Sequence, residues 1–302
     1  MTIPGRFGAV LTAMVTPFDE AGELDLDGAV RLARWMVDHG NDGLVVAGTT
    51  GEAPVLSDSE KADLWRAVSE AVTVPVVAGA GTYDTAHSIK LTKVAEEAGA
   101  AGILAVTPYY SRPSQSGLEA HFRAVAAATS LPVMVYDIPI RTGRKVGHDV
   151  LVRLAREVGN ITSVKDAAAD PAAAARLLAE APDYLELYSG DDSLTLALLA
   201  VGASGTVSVA GHWTGDLQSR MLAAFSKGDV EEARRINTLL IPSWMFETGD
   251  DAPNPLPSKA MLRVLGLPAG QCRLPLGPAP EGLEDRAREV LAGLGADAPS
   301  YP

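Results

Sequence analysis

Lys165 closes the apolar run Ile161-Thr-Ser-Val-Lys-Asp166, whose β-branched residues predict a buried strand. A lysine buried at a strand end is costly unless it is paired, neutralised or used. Burial disfavours the ammonium, lowers its pKa and frees the amine to attack a carbonyl carbon. The plainer alternative is a solvent-facing lysine paired with Asp166. Other polar groups also follow apolar runs: Gly48-Thr-Thr-Gly-Glu52, Gly79-Ala-Gly-Thr82, Thr107-Pro-Tyr-Tyr110, Tyr136-Asp-Ile-Pro139 with Arg141, Ser189-Gly-Asp191 and Ser208. Together they suit one chemistry. A lysine forms a Schiff base with a keto acid, and phenols and hydroxyls relay protons. The backbone N–H groups of a Gly-Thr-Thr-Gly turn at a helix start hold a carboxylate. An arginine grips a second carboxylate with two hydrogen bonds. Singly, each signal has a bland reading. Gly48 to Gly51 is a strand-to-helix turn, Tyr136 a barrel-filling aromatic and Arg141 a solvated charge. Asp166, Asp191 and Asp192 read as caps or ion-pair partners. The joint placement carries the argument.

The elements that must hold these groups recur along the chain. Eight short apolar runs begin at Ala9, Gly43, Val74, Gly102, Pro132, Ile161, Tyr184 and Gly205; the seventh spans Tyr184 to Tyr188. Near-continuous apolar runs suit strands covered on both faces, as in a parallel sheet. Helix-period segments separate them: Asp25 to His39 with Gly40 as C-cap, Ser57 to Val72 opening on a Ser57/Glu60 capping box, Asp84 to Ala98, and Ser116 to Thr129. Strand and helix alternating eight times predict an α/β fold, a closed (β/α)8 TIM barrel, with functional groups at the C-terminal ends of the strands. An open doubly wound sheet is the structural alternative, but the first strand leads into Thr16-Pro-Phe-Asp19, not a Gly-x-Gly-x-x-Gly turn. After the eighth run, Asp216 to Lys227, Val230 to Phe246, Pro257 to Leu265 and Pro280 to Leu294 read as helical. The expected division is a catalytic barrel over 1–225 and a C-terminal helical extension over 226–302. Nothing in the extension reads as chemistry, so packing or oligomer contact is its expected role.

Composition excludes several classes. The chain has 302 residues, 47% hydrophobic, with a net charge of −13. That charge argues against binding a phosphate backbone, and no nucleic-acid partner is expected. Local charge can still attract a small anion. No apolar run reaches the roughly 18 residues of a membrane span, and the first residues carry no basic stretch leading into an apolar core. The expectation is a cytoplasmic chain without a membrane partner. Cys272 stands alone in a late loop, so no intrachain disulfide or thiolate zinc cluster is available. The five histidines lack metal-ligand spacing.

Gly48-Thr-Thr-Gly-Glu52, Val106-Thr-Pro-Tyr-Tyr110, Tyr136-Asp-Ile-Pro-Ile-Arg-Thr142, Val164-Lys-Asp-Ala167 and Ser189-Gly-Asp-Asp192, in that order, carry a resemblance over nearly the whole length. The chain resembles the dihydrodipicolinate synthase/N-acetylneuraminate lyase family of class I aldolases. Arg141-Thr142 and the double threonine favour the synthase side over the sugar-acid aldolases and dehydratases, which stay as the alternative. A catalytically dead binding barrel is a third reading, opposed by the intact Lys, Tyr, Tyr, Thr and Arg set. The resemblance implies that Lys165 forms an imine with pyruvate and that Tyr136 moves protons. It implies that Thr49 links Tyr136 to Tyr110, with Tyr110 reaching into a neighbouring subunit's site. Thr50 would bind the pyruvate carboxylate and Arg141 that of aspartate semialdehyde; Gly190 and Val207 would touch substrate through carbonyls or the pocket wall. No metal or organic cofactor is implied, and a homotetramer is. Asp137, Ala168 and Ala53 depart from the residues common in relatives. In lysine-inhibited relatives the amino acid binds at a subunit interface near the loops after strands two and three. His87 stands where those relatives carry a glutamate, and Lys61 adds a like charge, so little inhibition by L-lysine is expected.

Overall fold

The computed structural model describes residues 5–299. Its strands are β1 Val10–Ala13, β2 Gly43–Val46, β3 Val76–Gly79, β4 Gly102–Val106, β5 Val133–Asp137, β6 Ile161–Asp166, β7 Glu186–Ser189 and β8 Gly205–Ser208. Neighbours pair in parallel in chain order, and β8 pairs with β1, so the sheet closes as the alternation predicts. One face of the strands fills the interior with Leu11, Val45, Val77, Leu104, Met134 and Val207. The other face packs under the helices, where Leu44, Val46, Ile103 and Val135 meet Leu32, Met36, Trp65 and Phe122. Burial on both faces explains why these strands read as apolar runs rather than alternating ones.

The helices are α1 Leu26–Asp38, α2 Asp58–Ala71, α3 Thr85–Glu97, α4 Gln115–Ala126, α5 Pro139–Thr142, α6 His148–Glu157, α7 Pro171–Glu180, α8 Thr195–Ala200, α9 Gly211–Ser226, α10 Val230–Phe246, α11 Leu256–Val264 and α12 Leu283–Leu294. The capping box of α2 forms in full, Ser57 Oγ accepting from Glu60 N and Glu60 Oε2 from Ser57 N. Gly40, at φ +83°, ends α1 where a Cβ would meet the backbone of Gly215 and Asp216 within 2.9 Å. Gly is thus required there twice over, by conformation and by space.

Boundaries differ where local pattern is weak. β7 begins at Glu186, not Tyr184, because Leu185 N–H closes a turn onto the Pro182 carbonyl. Helix α9 begins at Gly211, ahead of Asp216, since Gly211 to Gly215 is buried all round and shows no amphipathic contrast. The expected segments also leave out α6, α7 and α8: α6 buries Val150, Leu151, Leu154 and Ala155 on one side, α7 is mostly alanine and α8 has only 6 residues. Helices α10 to α12 share a core with α9 through Trp213, Leu217, Ile236, Leu240, Trp244 and Met261. Among the described residues, no helix is long and apolar enough to cross a membrane.

Candidate active site

Parallel register puts Tyr136 of β5 beside Lys165 of β6, and Lys165 beside Tyr188 of β7. Side chains of paired residues share a face, so Lys165 and Tyr136 enter the barrel mouth at one height. Lys165 is 4% exposed, and its Nζ lies 4.3 Å from the centre of the Tyr136 ring. Burial pulls the Lys165 pKa down to about 8; Asp192 and Glu247 oppose the shift and Arg141 assists it. Burial pushes Tyr136 up to about 12, with Arg141 and the adjacent Thr49 hydroxyl drawing it back. The pair is therefore an amine deprotonable near neutral pH beside a phenol that keeps its proton.

Gly190 belongs to the same wall, where a Cβ would come within 3.0 Å of Lys165 Cγ and Cε. A cavity of about 450 Å3 opens above them, lined by Thr49, Thr50, Tyr136, Arg141, Lys165 and Gly190 among others. A second lobe of about 230 Å3 shares Thr49, Tyr136, Ile138 and Arg141. Thr50 is buried, and its hydroxyl accepts from Asn254 Nδ2 at 2.9 Å. Arg141 stands at the rim on the single turn of α5, which Thr142 steadies by donating to the Ile138 carbonyl at 3.1 Å. Thr107 Oγ1 and N–H both go to the Tyr136 carbonyl, at 3.0 and 2.9 Å, so Thr107 fixes the strand that carries the phenol.

Two of the named residues lie outside this chain's own cavity, Tyr110 as its expected reach into a neighbouring subunit requires. Tyr110 is 95% exposed at φ +70°, turned away from its own chain's Tyr136, and its neighbour Tyr109 lines the smaller lobe. Val207 is fully buried in the barrel interior; the cavity is lined instead by Val209, just past the end of β8. Asp166, Asp191 and Asp192 cap backbone amides of Ala168, Ser193, Val209 and Ala210, as their sequence context suggests.

The extension corrects the expectation that it takes no part in the site. Trp244, Glu247, Thr248 and Asn254 complete the larger cavity. Behind them Lys259 Nζ meets Glu52 Oε1 at 2.6 Å in a fully buried ion pair, tying α11 to the turn that carries Thr49 and Thr50. No local pattern marks these residues; the Pro-rich stretch Ala252 to Pro257 signals a turn and not what the turn approaches. Among the described residues, no group of three or more His, Cys, Asp or Glu is placed to hold a metal ion.

A closed barrel with a buried amine at its C-terminal mouth defines the class as the Schiff-base lyases built on this fold. Within that class, the chain belongs to the dihydrodipicolinate synthetase family, whose model matches residues 6–293. It is 49% identical over 292 residues to the 4-hydroxy-tetrahydrodipicolinate synthase of Moorella thermoacetica, covering 96% of this chain and 99% of the relative. It is 52% identical over 294 residues to the enzyme of the same name from Acidothermus cellulolyticus, covering 97% and 94%. A solved structure of the Cyanidioschyzon merolae enzyme, with lysine bound, superposes with a TM-score of 0.93 at 41% identity, covering 96% of this chain and 99% of that one.

Proposed function

We propose that this chain condenses pyruvate with L-aspartate 4-semialdehyde to give 4-hydroxy-tetrahydrodipicolinate, on the route to diaminopimelate and lysine. The observation that carries the reading is the buried Lys165 amine, its pKa pulled down to about 8, facing a cavity shared with Tyr136, Thr50 and Arg141. The neutral amine attacks the keto carbon of pyruvate to form a carbinolamine, which loses water to an iminium. Tyr136, held as a neutral phenol and backed by Thr49, passes the protons in these steps. Loss of a methyl proton gives the enamine, whose carbon attacks the semialdehyde carbonyl. The semialdehyde's own amino group then adds to the iminium carbon, the Lys165 amine leaves, and the ring closes. Thr50, fixed by Asn254, receives the pyruvate carboxylate. Arg141 receives the second substrate's carboxylate as a charge-assisted pair.

The exposed Tyr110 needs a second subunit to act, so the working form is at least a dimer, and we take it as a homotetramer acting in the cytoplasm. We take 1–225 as the catalytic barrel and 226–302 as an extension whose Trp244, Glu247, Thr248 and Asn254 line the same cavity. A fully active monomer in sedimentation at assay concentration would remove Tyr110 from the relay.

Borohydride reduction in the presence of pyruvate tests the chemistry, with peptide mass mapping to locate the adduct. The expected adduct is on Lys165 and is lost in Lys165→Ala. Lys165→Arg fails equally, because a guanidinium stays protonated. An adduct on another lysine, or none, refutes the mechanism. Turnover of aspartate semialdehyde set against sugar-acid aldehydes tests the second substrate; preference for a polyhydroxy aldehyde would favour the sugar-acid reading.

A further inference from the structure

Two carboxyl groups unused by this chemistry stand against the wall that holds Lys165. Asp192 follows β7 and Glu247 follows α10; they are 2% and 8% exposed. Asp192 Oδ2 accepts the N–H groups of Val209 and Ala210 at 2.9 and 2.8 Å. Glu247 Oε2 accepts from the same Ala210 N–H at 3.1 Å. Two ionised carboxylates converging on one buried amide repel each other strongly. Asp192 Oδ1 is also buried with no hydrogen-bond partner among the described residues. A proton on Glu247 relieves the repulsion, removing one charge and letting its carboxyl donate to Asp192. Burial, then the Asp192 charge, push the Glu247 carboxyl well above the usual range.

We propose, on the reading that Lys165 is the Schiff-base lysine, that Asp192 and Glu247 form a one-proton pair positioned to set the charge of its amine. With the proton on Glu247 the pair presents one negative charge to the cavity instead of two. Two would hold Lys165 as an ammonium; one leaves it deprotonable. Glu247 also lines the cavity itself, so a residue of the extension regulates a nucleophile of the barrel.

The other groups around the pair do not take over this role. Arg141 on α5 lowers the Lys165 pKa, opposite to the carboxyls. Tyr136 on β5 is a neutral phenol. Tyr188 on β7 turns its hydroxyl to Glu186 at 3.1 Å. Asp166, on Lys165's own strand, accepts from Ala168 N–H. Asp191 caps Ser193 and adds to the field that keeps Glu247 protonated. His212 at the start of α9 is held neutral, accepting from Val15 N–H and facing the Val209 carbonyl through its other nitrogen, with burial pulling its pKa to about 4.

The test is trace acetylation of Lys165 by acetic anhydride across pH in the full-length protein, read by peptide mass mapping. Glu247→Gln replaces an uncharged group by an uncharged one, so the labelling midpoint stays at the parent value. Asp192→Asn combined with Glu247→Gln leaves the pair with no carboxylate and keeps an acceptor for the two amides; the midpoint falls by about one pH unit, roughly tenfold more labelling at a fixed lower pH. A fall in Glu247→Gln, or no fall in the double variant, overturns the proposal. The infrared spectrum supplies a second measurement on the folded parent. A protonated-carboxyl stretch at neutral pH that vanishes in Glu247→Gln supports the pair, and its absence in the parent overturns it. Pyruvate trapping is scored apart: its failure sinks the Schiff-base reading, whereas labelling and infrared decide the pair.

Discussion

Arg141 is exposed at the rim, and no carboxylate among the described residues engages its guanidinium. A charged group left open beside a cavity is a binding group in waiting, and the notional ligand is the semialdehyde carboxylate. Arg141→Ala should lower kcat/KM for aspartate semialdehyde by roughly 10- to 100-fold, the loss of a charge-assisted pair worth about 1.5 to 3 kcal/mol. Imine formation with pyruvate should change far less, provided it is compared above pH 8, because Arg141 also helps keep Lys165 neutral. Equal losses in both half-reactions would make Arg141 structural. Asp137 allows a stability test. It is 2% exposed, and burial raises its pKa from 3.8 to about 6 despite the Val146 N–H it accepts and Lys145 nearby. A raised folded pKa means that the folded state holds the proton more tightly. The contribution is therefore whole below about pH 4 and is lost as pH rises through about 6. Asp137→Asn keeps an acceptor for Val146 and carries no charge. Thermal unfolding should show it more stable than the parent at pH 7.5, by up to about 3 kcal/mol, and equal to it at pH 4. A parent advantage at pH 7.5 would mean that the ionised Asp137 is stabilised by Lys145. At this scale Lys165, Tyr136, Thr49, Thr50 and Arg141 were legible in the sequence because each follows an apolar run. Glu247 and Asn254 follow none, and only packing brings them in.

Among elements, the alternation of strand and helix was readable because barrel strands are apolar on both faces and helices on one. What the pattern does not carry is the meeting of α11 with the β2 turn, between residues some two hundred positions apart. Glu52 sits in the left-handed region at φ +57° two residues after Thr50, with its carboxylate on Lys259 Nζ and on Arg273 N–H at 2.9 Å. Lys259 further donates to the Gln271 carbonyl at 3.0 Å and lies 4.1 Å over the Phe18 ring. Removing one partner of a buried pair strands the other's charge, at about 3 to 5 kcal/mol; replacing both by groups of similar shape costs much less. Lys259→Met should therefore drop the melting temperature sharply, and adding Glu52→Gln should recover more than half of the loss. The single variant should also raise KM for pyruvate, since the turn that carries Thr50 loses its anchor. A double variant no more stable than Lys259→Met would show that the pair is not what fixes the turn.

For the molecule as a whole, Tyr110 is 95% exposed, and on the proposed function it is the residue a further copy of the chain would use. By the family resemblance, a lysine-binding cleft would be built from Ala53 to Asp58, Lys61 and Tyr83 to His87, and would need free acidic groups for two ammonium groups. The carboxylates there are already engaged. Asp58 pairs with Lys90 and with His87 Nε2, each at 2.8 Å, and Lys90 first, then His87, hold its pKa below the usual carboxylate range. Both Asp84 oxygens cap α3, accepting from Ala86 and His87 N–H at 3.2 and 3.1 Å. Lys61 is 5% exposed, and burial lowers its pKa, so a further ammonium beside it meets either a like charge or an apolar stem. Lacking one charge partner costs a ligand roughly 2 to 5 kcal/mol, more than tenfold in affinity. Millimolar L-lysine should therefore leave the condensation rate unchanged. Replacing His87 by glutamate should bring inhibition in only if Asp58 stays with Lys90, so His87→Glu is the gain-of-function arm. Half-inhibition of the parent protein at sub-millimolar lysine would mean that the ligand displaces His87 or Lys90 from Asp58 and takes the carboxylate for itself.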